Sequence, residues 1–211
     1  MNAPATYQPP PLHVAVAAGD VATAKSLLDG GAGVDSLDEK YGFTPLHLAC
    51  FYGQHAALCV LLKKGGNTEI RDHNGDTPLQ VACRLGHFNC ALELLRVGAK
   101  IDVRNREGAS PIYLAAVGGG DQAELTGHLQ IVRALLKRGA DASIKDCMGR
   151  LAIDVATDEA VKSLLRRAQA TRKTVAKARA MPEKGRLAGG GKCCGAFMKY
   201  AKTEKEEKAD E

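Results

Sequence analysis

The sequence lacks most of what an aromatic-rich, secreted or membrane-spanning protein needs. Among 211 residues there is no Trp, and only four Phe and five Tyr. Small aliphatic residues dominate, which suits closely packed short helices. No apolar run approaches the roughly 18 residues of a membrane helix, and residues 1–8 lack the basic and apolar pattern of a secretory signal. We therefore expect an intracellular, cytoplasmic protein, with nuclear or membrane-associated location left open.

The spacing of the cysteines and the absence of catalytic motifs argue against disulfide-rich, metal-binding and enzymatic proteins. The seven Cys, an odd number, favour reduced thiols over a disulfide framework. Cys50 and Cys83 lie far apart in the chain, and neither has a second Cys or His at the short spacing of a metal site. The chain has no phosphate-binding Gly loop ending in Lys-Ser/Thr, no Gly-x-Ser-x-Gly and no His-Glu-x-x-His. We expect no enzyme activity, no cofactor and no metal.

Charge is distributed unevenly along the chain. Residues 1–167 contain 18 Lys/Arg and 18 Asp/Glu, whereas residues 168–211 contain 11 against 6. The formal net charge of +5 therefore belongs to the C-terminal segment. This asymmetry indicates two regions with different roles.

A constant period organises the neutral region. Pro45, Pro78 and Pro111 are equally spaced, and each follows a hydroxyl residue and, three positions earlier, a Gly. Each Pro opens a short helical pattern, and a second helical pattern ends in Leu-Leu followed by Gly. Gly permits the positive φ of a tight turn, Pro suits the first helical position, and the hydroxyl can cap the helix. The pattern predicts repeated helix-turn-helix units joined at tight tips.

One stretch makes the family resemblance specific. Residues 44–49 read Thr-Pro-Leu-His-Leu-Ala, which resembles the Thr-Pro-Leu-His-x-Ala signature of the ankyrin repeat. The resemblance implies an all-α solenoid of stacked helix-turn-helix repeats with short hairpin-like tips, acting as a monomer. Its predicted repeats are 9–39, 40–72, 73–105, 106–146 and 147–167, of which the first and last are degenerate caps. Residues 1–8 form an N-terminal extension, and residues 168–211 form a basic, partly helical or disordered tail.

The fourth repeat departs from the period. The interval from Gly108 to Gly149 exceeds the period by eight positions, and the surplus lies at residues 118–126. We expect this insertion to interrupt the turn between the two helices, because loops tolerate extra chain. It is either a neutral flexible loop or a loop that contacts a partner.

His47 is the residue most easily mistaken for a catalytic base or ligand. The ankyrin resemblance implies a structural role instead, in which this side chain forms hydrogen bonds with Thr44 and holds the turn. Gln80 and Tyr113 stand at the equivalent positions of the next two repeats.

The resemblance also places the binding surface on the hairpin tips and first helices, which line a concave groove. The corresponding positions are Lys40, Tyr41, Phe43, Phe51 and Tyr52 in the second repeat, His73, Asn74, Asp76, Arg84 and Leu85 in the third, and Arg106, Glu107, Ala109 and Val117 in the fourth. The four aromatic residues of the second repeat suggest an interface hot spot. The alternative is that Phe43 and Phe51 only fill space between hairpin and helix. We expect a protein partner, with the chain acting as an adaptor, scaffold or steric inhibitor.

The tail supports a second hypothesis. Residues 172–202 contain nine Lys/Arg and one Glu, and include the adjacent pair Cys193 and Cys194. Acylation of these thiols beside a basic patch would give the two signals that stable membrane attachment needs. This hypothesis makes the chain a membrane-tethered scaffold. The alternatives are a tail that binds nucleic acid or an acidic protein, and a passive solvated tail, which is the default. Nucleic acid is not the partner we expect.

Overall fold

The computed structural model describes the backbone of residues 9–118 and 122–179, and the side chains of residues 9–118 and 127–171. The chain divides into a first unit, residues 1–170, and a second unit, residues 171–211. The described part of the second unit is helical. Cys193 and Cys194 lie outside the described residues, so acylation of the tail remains a prediction.

The described residues form ten α-helices and contain no strand, apart from one isolated bridge between Lys145 and Leu151. The first helices of the five pairs stack in chain order, and so do the second helices of the first four pairs. The all-α repeat solenoid is thus confirmed. The helices are α1 Pro11–Ala18, α2 Val21–Asp29, α3 Pro45–Phe51, α4 His55–Lys63, α5 Pro78–Arg84, α6 Phe88–Arg96, α7 Pro111–Val117, α8 Gln122–Lys137, α9 Ala152–Val155 and α10 Glu159–Arg179.

All three predicted helices begin at their Pro, and the predicted hydroxyl cap forms at two of these three sites. Thr44 and Thr77 accept hydrogen bonds from the backbone N–H of the third helical residue, whose side chain accepts in return from the Thr N–H. Loss of such a cap costs about 1 kcal/mol. Capping was wrong at Ser110, which makes no side-chain cap bond. The third helical residue there is Tyr113, whose hydroxyl binds Asp146 instead of reaching back.

Small side chains allow the first helices to stack closely. Ala49, Ala82 and Ala115 are fully buried, as are Cys50 and Cys83. Burial raises the pKa of both thiols well above the usual range. These cysteines therefore behave as small hydrophobic residues, which is the role their position predicts.

The insertion in the fourth repeat differs from its prediction. The helix α8 has 16 residues, against nine in each of α4 and α6. Residues 122–126 are helical, so their assignment to a loop was wrong; residues 119–121 lie outside the description. The physical reason is local, because Gln-Ala-Glu-Leu-Thr contains good helix formers and no Pro, and the helix extends upstream through them. The longer helix still packs against α7.

The last helix is the longest of those described. It runs without interruption from Glu159 to Arg179, whereas its partner α9 has only four residues. Of the helices in the described residues, none combines the length and the hydropathy required to cross a bilayer.

Candidate functional site

Buried Asp and Asn side chains build the hairpin tips. Asp72 accepts two hydrogen bonds through Oδ1, from the backbone N–H of Asn74 and of Asp76, each at 2.8 Å. A similar pair of bonds is repeated at Asp38, Asn105 and Asp146. These residues were not predicted, although an Asp or Asn precedes each tip Gly by three or four positions. They fix the loop that carries the predicted binding residues.

Successive tips are joined by backbone hydrogen bonds. Each bond runs from an N–H of one tip to a carbonyl of the tip before it. The pairs are His73 N to Tyr41 O at 3.0 Å, Arg106 N to Asn74 O at 3.1 Å, and Cys147 N to Glu107 O at 2.9 Å. The tips of the second to fifth repeats therefore form one continuous ladder.

His47 has the structural role predicted for it. Its Nδ1 lies 2.8 Å from the Thr44 hydroxyl and accepts a hydrogen bond from the Thr44 backbone N–H. Nε2 then donates to the carbonyl of Asp76, at 3.0 Å, in the next repeat. Burial lowers the pKa of His47 below its usual 6.5, against smaller opposing effects of the Asp76 hydrogen bond and nearby carboxylates. The imidazole is a buried, neutral link between two repeats.

Equivalent links occupy the same position in the neighbouring repeats. Gln80 Nε2 donates to the carbonyl of Ala109 at 2.8 Å, and Tyr113 donates through its hydroxyl to Asp146 Oδ2 at 2.7 Å. Burial and this hydrogen bond raise the pKa of Tyr113 to about 12. Burial alone would raise the pKa of Asp146, but hydrogen bonds from Tyr113, Arg150 and Met148 lower it to about 2. Both groups keep their ordinary charge states and hold the fifth tip in place.

The four predicted aromatic residues form one cluster, which we call the aromatic cluster: Tyr41, Phe43, Phe51 and Tyr52. Tyr41 stacks on Phe43 with 5.5 Å between ring centroids, and Phe43 lies 6.1 Å from Phe51. Phe51 meets Tyr52 edge-on at 5.1 Å. Lys40 Nζ lies 4.8 Å from the centroid of the Tyr41 ring. The rings are continuous from the hairpin tip to the end of α3.

The exposure of each ring shows which members of the cluster could form an interface and which only fill space between hairpin and helix. Tyr41, Phe51 and Tyr52 are 49%, 42% and 52% exposed, whereas Phe43 is half-buried and stacks on His47 at 5.8 Å. Phe43 therefore fills space between hairpin and helix. The other three rings present apolar surface that the described residues do not cover.

The remaining predicted residues divide by burial. Lys40, His73, Asn74, Arg84, Arg106 and Glu107 are exposed, Leu85 is half-buried, and Asp76 and Ala109 are buried. The Asp76 carboxylate pairs with Arg84 Nη2 at 2.5 Å and accepts from Asn105 Nδ2 at 2.7 Å. Asp76 thus positions Arg84 and offers little surface of its own.

A groove of about 750 Å³ opens between the third, fourth and fifth repeats. Arg84, Arg106 and Glu107, all predicted binding residues, line it. Met148 and Arg150, from the fifth tip, line it as well, and both are exposed. These two were missed because the fifth repeat was interpreted only as a polar cap. Gly149, which marks the fifth tip as other glycines mark the earlier tips, was the sequence signal that could have identified them.

Among the side chains described, those of residues 9–118 and 127–171, no three His, Cys, Asp or Glu converge in a way that could hold a metal ion. The buried thiol of Cys90 has a pKa raised by burial to about 11, which disfavours the reactive thiolate.

Comparison with known proteins agrees with the repeat architecture. A family model described as "Ankyrin repeats (3 copies)" matches residues 2–72 and 60–146. No curated protein sequence matches the chain significantly.

Proposed function

Because the chain belongs to the ankyrin repeat family, whose members generally bind other proteins, we propose that it is a non-enzymatic protein-binding module. It acts as an adaptor, scaffold or steric inhibitor. Its partner binds the face formed by the hairpin tips and the first helices, which we call the groove face.

The exposed part of the aromatic cluster is the observation that carries this proposal. Tyr41, Phe51 and Tyr52 are each more than two-fifths exposed. Phe51 meets Tyr52 edge-on, and Tyr41 is joined to them through Phe43. Large aromatic side chains dominate the binding energy of many interfaces, where truncation of one can cost about 2 kcal/mol or more. A contiguous group of three on one face is therefore a natural anchor for a partner.

The rigidity of the groove face favours the same function. The tips are joined to one another by backbone hydrogen bonds, and each tip is held from within by a buried Asp or Asn. A surface that is already ordered loses little conformational entropy when it binds. Rigid presentation of side chains is sufficient as a mechanism, and no chemical step is required.

Affinity purification with the full-length chain tests the proposal. The variant Tyr41→Ala/Tyr52→Ala removes two exposed rings that make no buried contacts essential to the core. Partners captured by the wild type should be lost or reduced at least tenfold, which corresponds to about 1.4 kcal/mol. Val97→Ala is the matched control, since Val97 is 51% exposed but lies at the end of α6, on a second helix.

Circular dichroism should show that both variants fold. Unchanged capture by the folded double variant would exclude the aromatic cluster as the anchor. Equal loss in Val97→Ala would show that the effect is not specific to the groove face.

A further inference from the structure

Three arginine side chains surround the groove between the third and fifth repeats. Arg84 lies at the end of α5, Arg106 on the fourth tip and Arg150 on the fifth tip. The side chains of Arg84 and Arg150 are 42% and 51% exposed, and Arg106 is also exposed. Exposed arginines from three successive repeats therefore line the groove.

The carboxylates that pair with two of these arginines are buried beneath them. Asp76 and Asp146 have side chains only 3% and 4% exposed. Arg84 uses Nη2 for Asp76, and Arg150 uses Nε and Nη2 for Asp146. Since a guanidinium has five N–H donors, each arginine is held in place and still has donors left for a ligand. Positive charge lies at the surface and negative charge below it.

Asn105 strengthens this arrangement. The other three tips carry Asp at this position, but Asn105 donates through Nδ2 to Asp76 Oδ1 at 2.7 Å. An Asp here would set a second carboxylate against Asp76. The amide keeps the hydrogen bonds of the tip and removes one negative charge from the surroundings of Arg106.

Exposed acids around the groove are fewer than exposed bases. Glu107 and Asp154 are the exposed acidic residues among those that line it. Against these two stand the three exposed arginines of the same lining. The surface balance is positive, which favours an acidic ligand.

Apolar surface accompanies these charges. Met148 is 77% exposed and Val117 is 46% exposed, and both line the groove. The aromatic cluster adds exposed apolar surface on the second repeat. A purely charged ligand would leave this surface uncovered.

We propose that the groove face recognises an acidic segment of its partner protein that also carries apolar side chains. The carboxylates bind the guanidinium groups of Arg84, Arg106 and Arg150, and apolar side chains cover Met148 and Val117. This inference rests on the proposed protein-binding function and specifies the class of partner.

Selection of short random peptides on the immobilised full-length chain tests the inference. Enriched peptides should contain an excess of Asp and Glu together with aliphatic or aromatic residues. The binding of one enriched peptide, labelled with a fluorophore, is then measured by anisotropy. Affinity should fall as NaCl rises from about 50 mM to about 500 mM, because exposed charges are screened.

Arg106→Glu is the decisive variant. Within the described residues the Arg106 side chain has no hydrogen bond or ion pair, so its replacement should leave the fold intact. The Kd for the peptide should rise about tenfold or more. Arg133→Glu is the matched control, since Arg133 is exposed on the second helix α8 and equally unpaired within the described residues; its Kd should change less than twofold.

Several results would overturn the inference. Enrichment of neutral or basic peptides, an equal effect of both variants, or failure to enrich any peptide would each contradict an acidic partner. So would tight binding of a fluorescent single-stranded oligonucleotide that is abolished by Arg106→Glu. If capture of whole partners still depends on Tyr41 and Tyr52 in any of these cases, the proposed function stands and only the acidic class is wrong.

Discussion

Gly127 offers a test in which the fold reverses an ordinary rule. It lies inside α8, where replacement of Gly by Ala normally stabilises a helix by about 0.5–1 kcal/mol. At this position, a Cβ would lie far closer than 3.0 Å to the carbonyl oxygen of Gly86. We therefore expect Gly127→Ala to destabilise the protein.

The magnitude follows from the geometry. Real Cβ atoms essentially never approach a heavy atom within 3.0 Å, so the two backbones must separate by most of an ångström. The obstacle is backbone, and the Gly86 carbonyl is itself held by the N–H of Phe88 at 2.8 Å. Overpacking of this kind costs about 1–3 kcal/mol. With the helix gain of about 0.5–1 kcal/mol subtracted, we expect a net loss of about 1 kcal/mol and a Tm lower by about 2–4 °C.

Urea unfolding followed by far-UV circular dichroism measures the effect. Gln130→Ala is the control, because Gln130 is exposed on the same helix and its replacement should change stability by less than about 0.5 kcal/mol. A Gly127→Ala variant that is as stable as the wild type, or more stable, would refute the close approach of α8 to the turn before α6.

Two further predictions concern buried groups. Burial lowers the pKa of His47 from 6.5. As pH falls below about 6.5, His47 is therefore protonated in the unfolded chain while it is still neutral in the folded chain, and the free energy of unfolding decreases. His47→Gln should keep the hydrogen bonds, as Gln80 does one repeat later. The urea midpoint of the variant should therefore fall less between about pH 7.5 and about pH 5.5 than that of the wild type; equal falls would contradict this role of His47. Iodoacetamide should modify the exposed Cys147 in the folded protein but spare Cys50 and Cys83 until urea is added, because these two thiols are buried. Peptide mass spectrometry measures the labelling, and rapid labelling of Cys50 or Cys83 in the folded chain would show that the core opens.

Local rules made the fold predictable. Pro45 and Pro78 begin their helices, Thr44 and Thr77 cap them, and the constant period places each unit against its neighbour. These preferences act within a few positions of the chain, so they can be identified without knowledge of the tertiary contacts. The match to the family extends the same conclusion over residues 2–146.

The helical insertion and the missing cap at Ser110 could not be predicted from the repeat pattern. A surplus of residues at 118–126 shows where the repeat departs from its period, but not whether the surplus forms loop or helix. At position 113 the side chain is a Tyr whose hydroxyl binds Asp146, 33 residues away along the chain. Unlike His47 and Gln80, it returns no hydrogen bond to the backbone N–H of the residue before the Pro.

The proposed binding face was predicted only in part. Tyr41, Phe51 and Tyr52 were predicted as part of an interface hot spot, and the structure shows them exposed and linked through Phe43. Met148 and Arg150 were not identified, since their repeat lacks the full signature. Their contribution depends on the alignment of the fifth tip with the fourth, through the Cys147 to Glu107 hydrogen bond.

The sequence by itself determined that this chain is a stack of ankyrin repeats, because Gly, Pro and hydroxyl residues at a constant spacing direct turns and helix starts locally. Only the tertiary structure decided which charges and rings face outward. Asp76 is buried under Arg84, and Asn105 meets Asp76 across 29 positions of sequence. Such pairings depend on the distance between repeats, which no local pattern encodes, and they give the groove face the surface that a partner would meet.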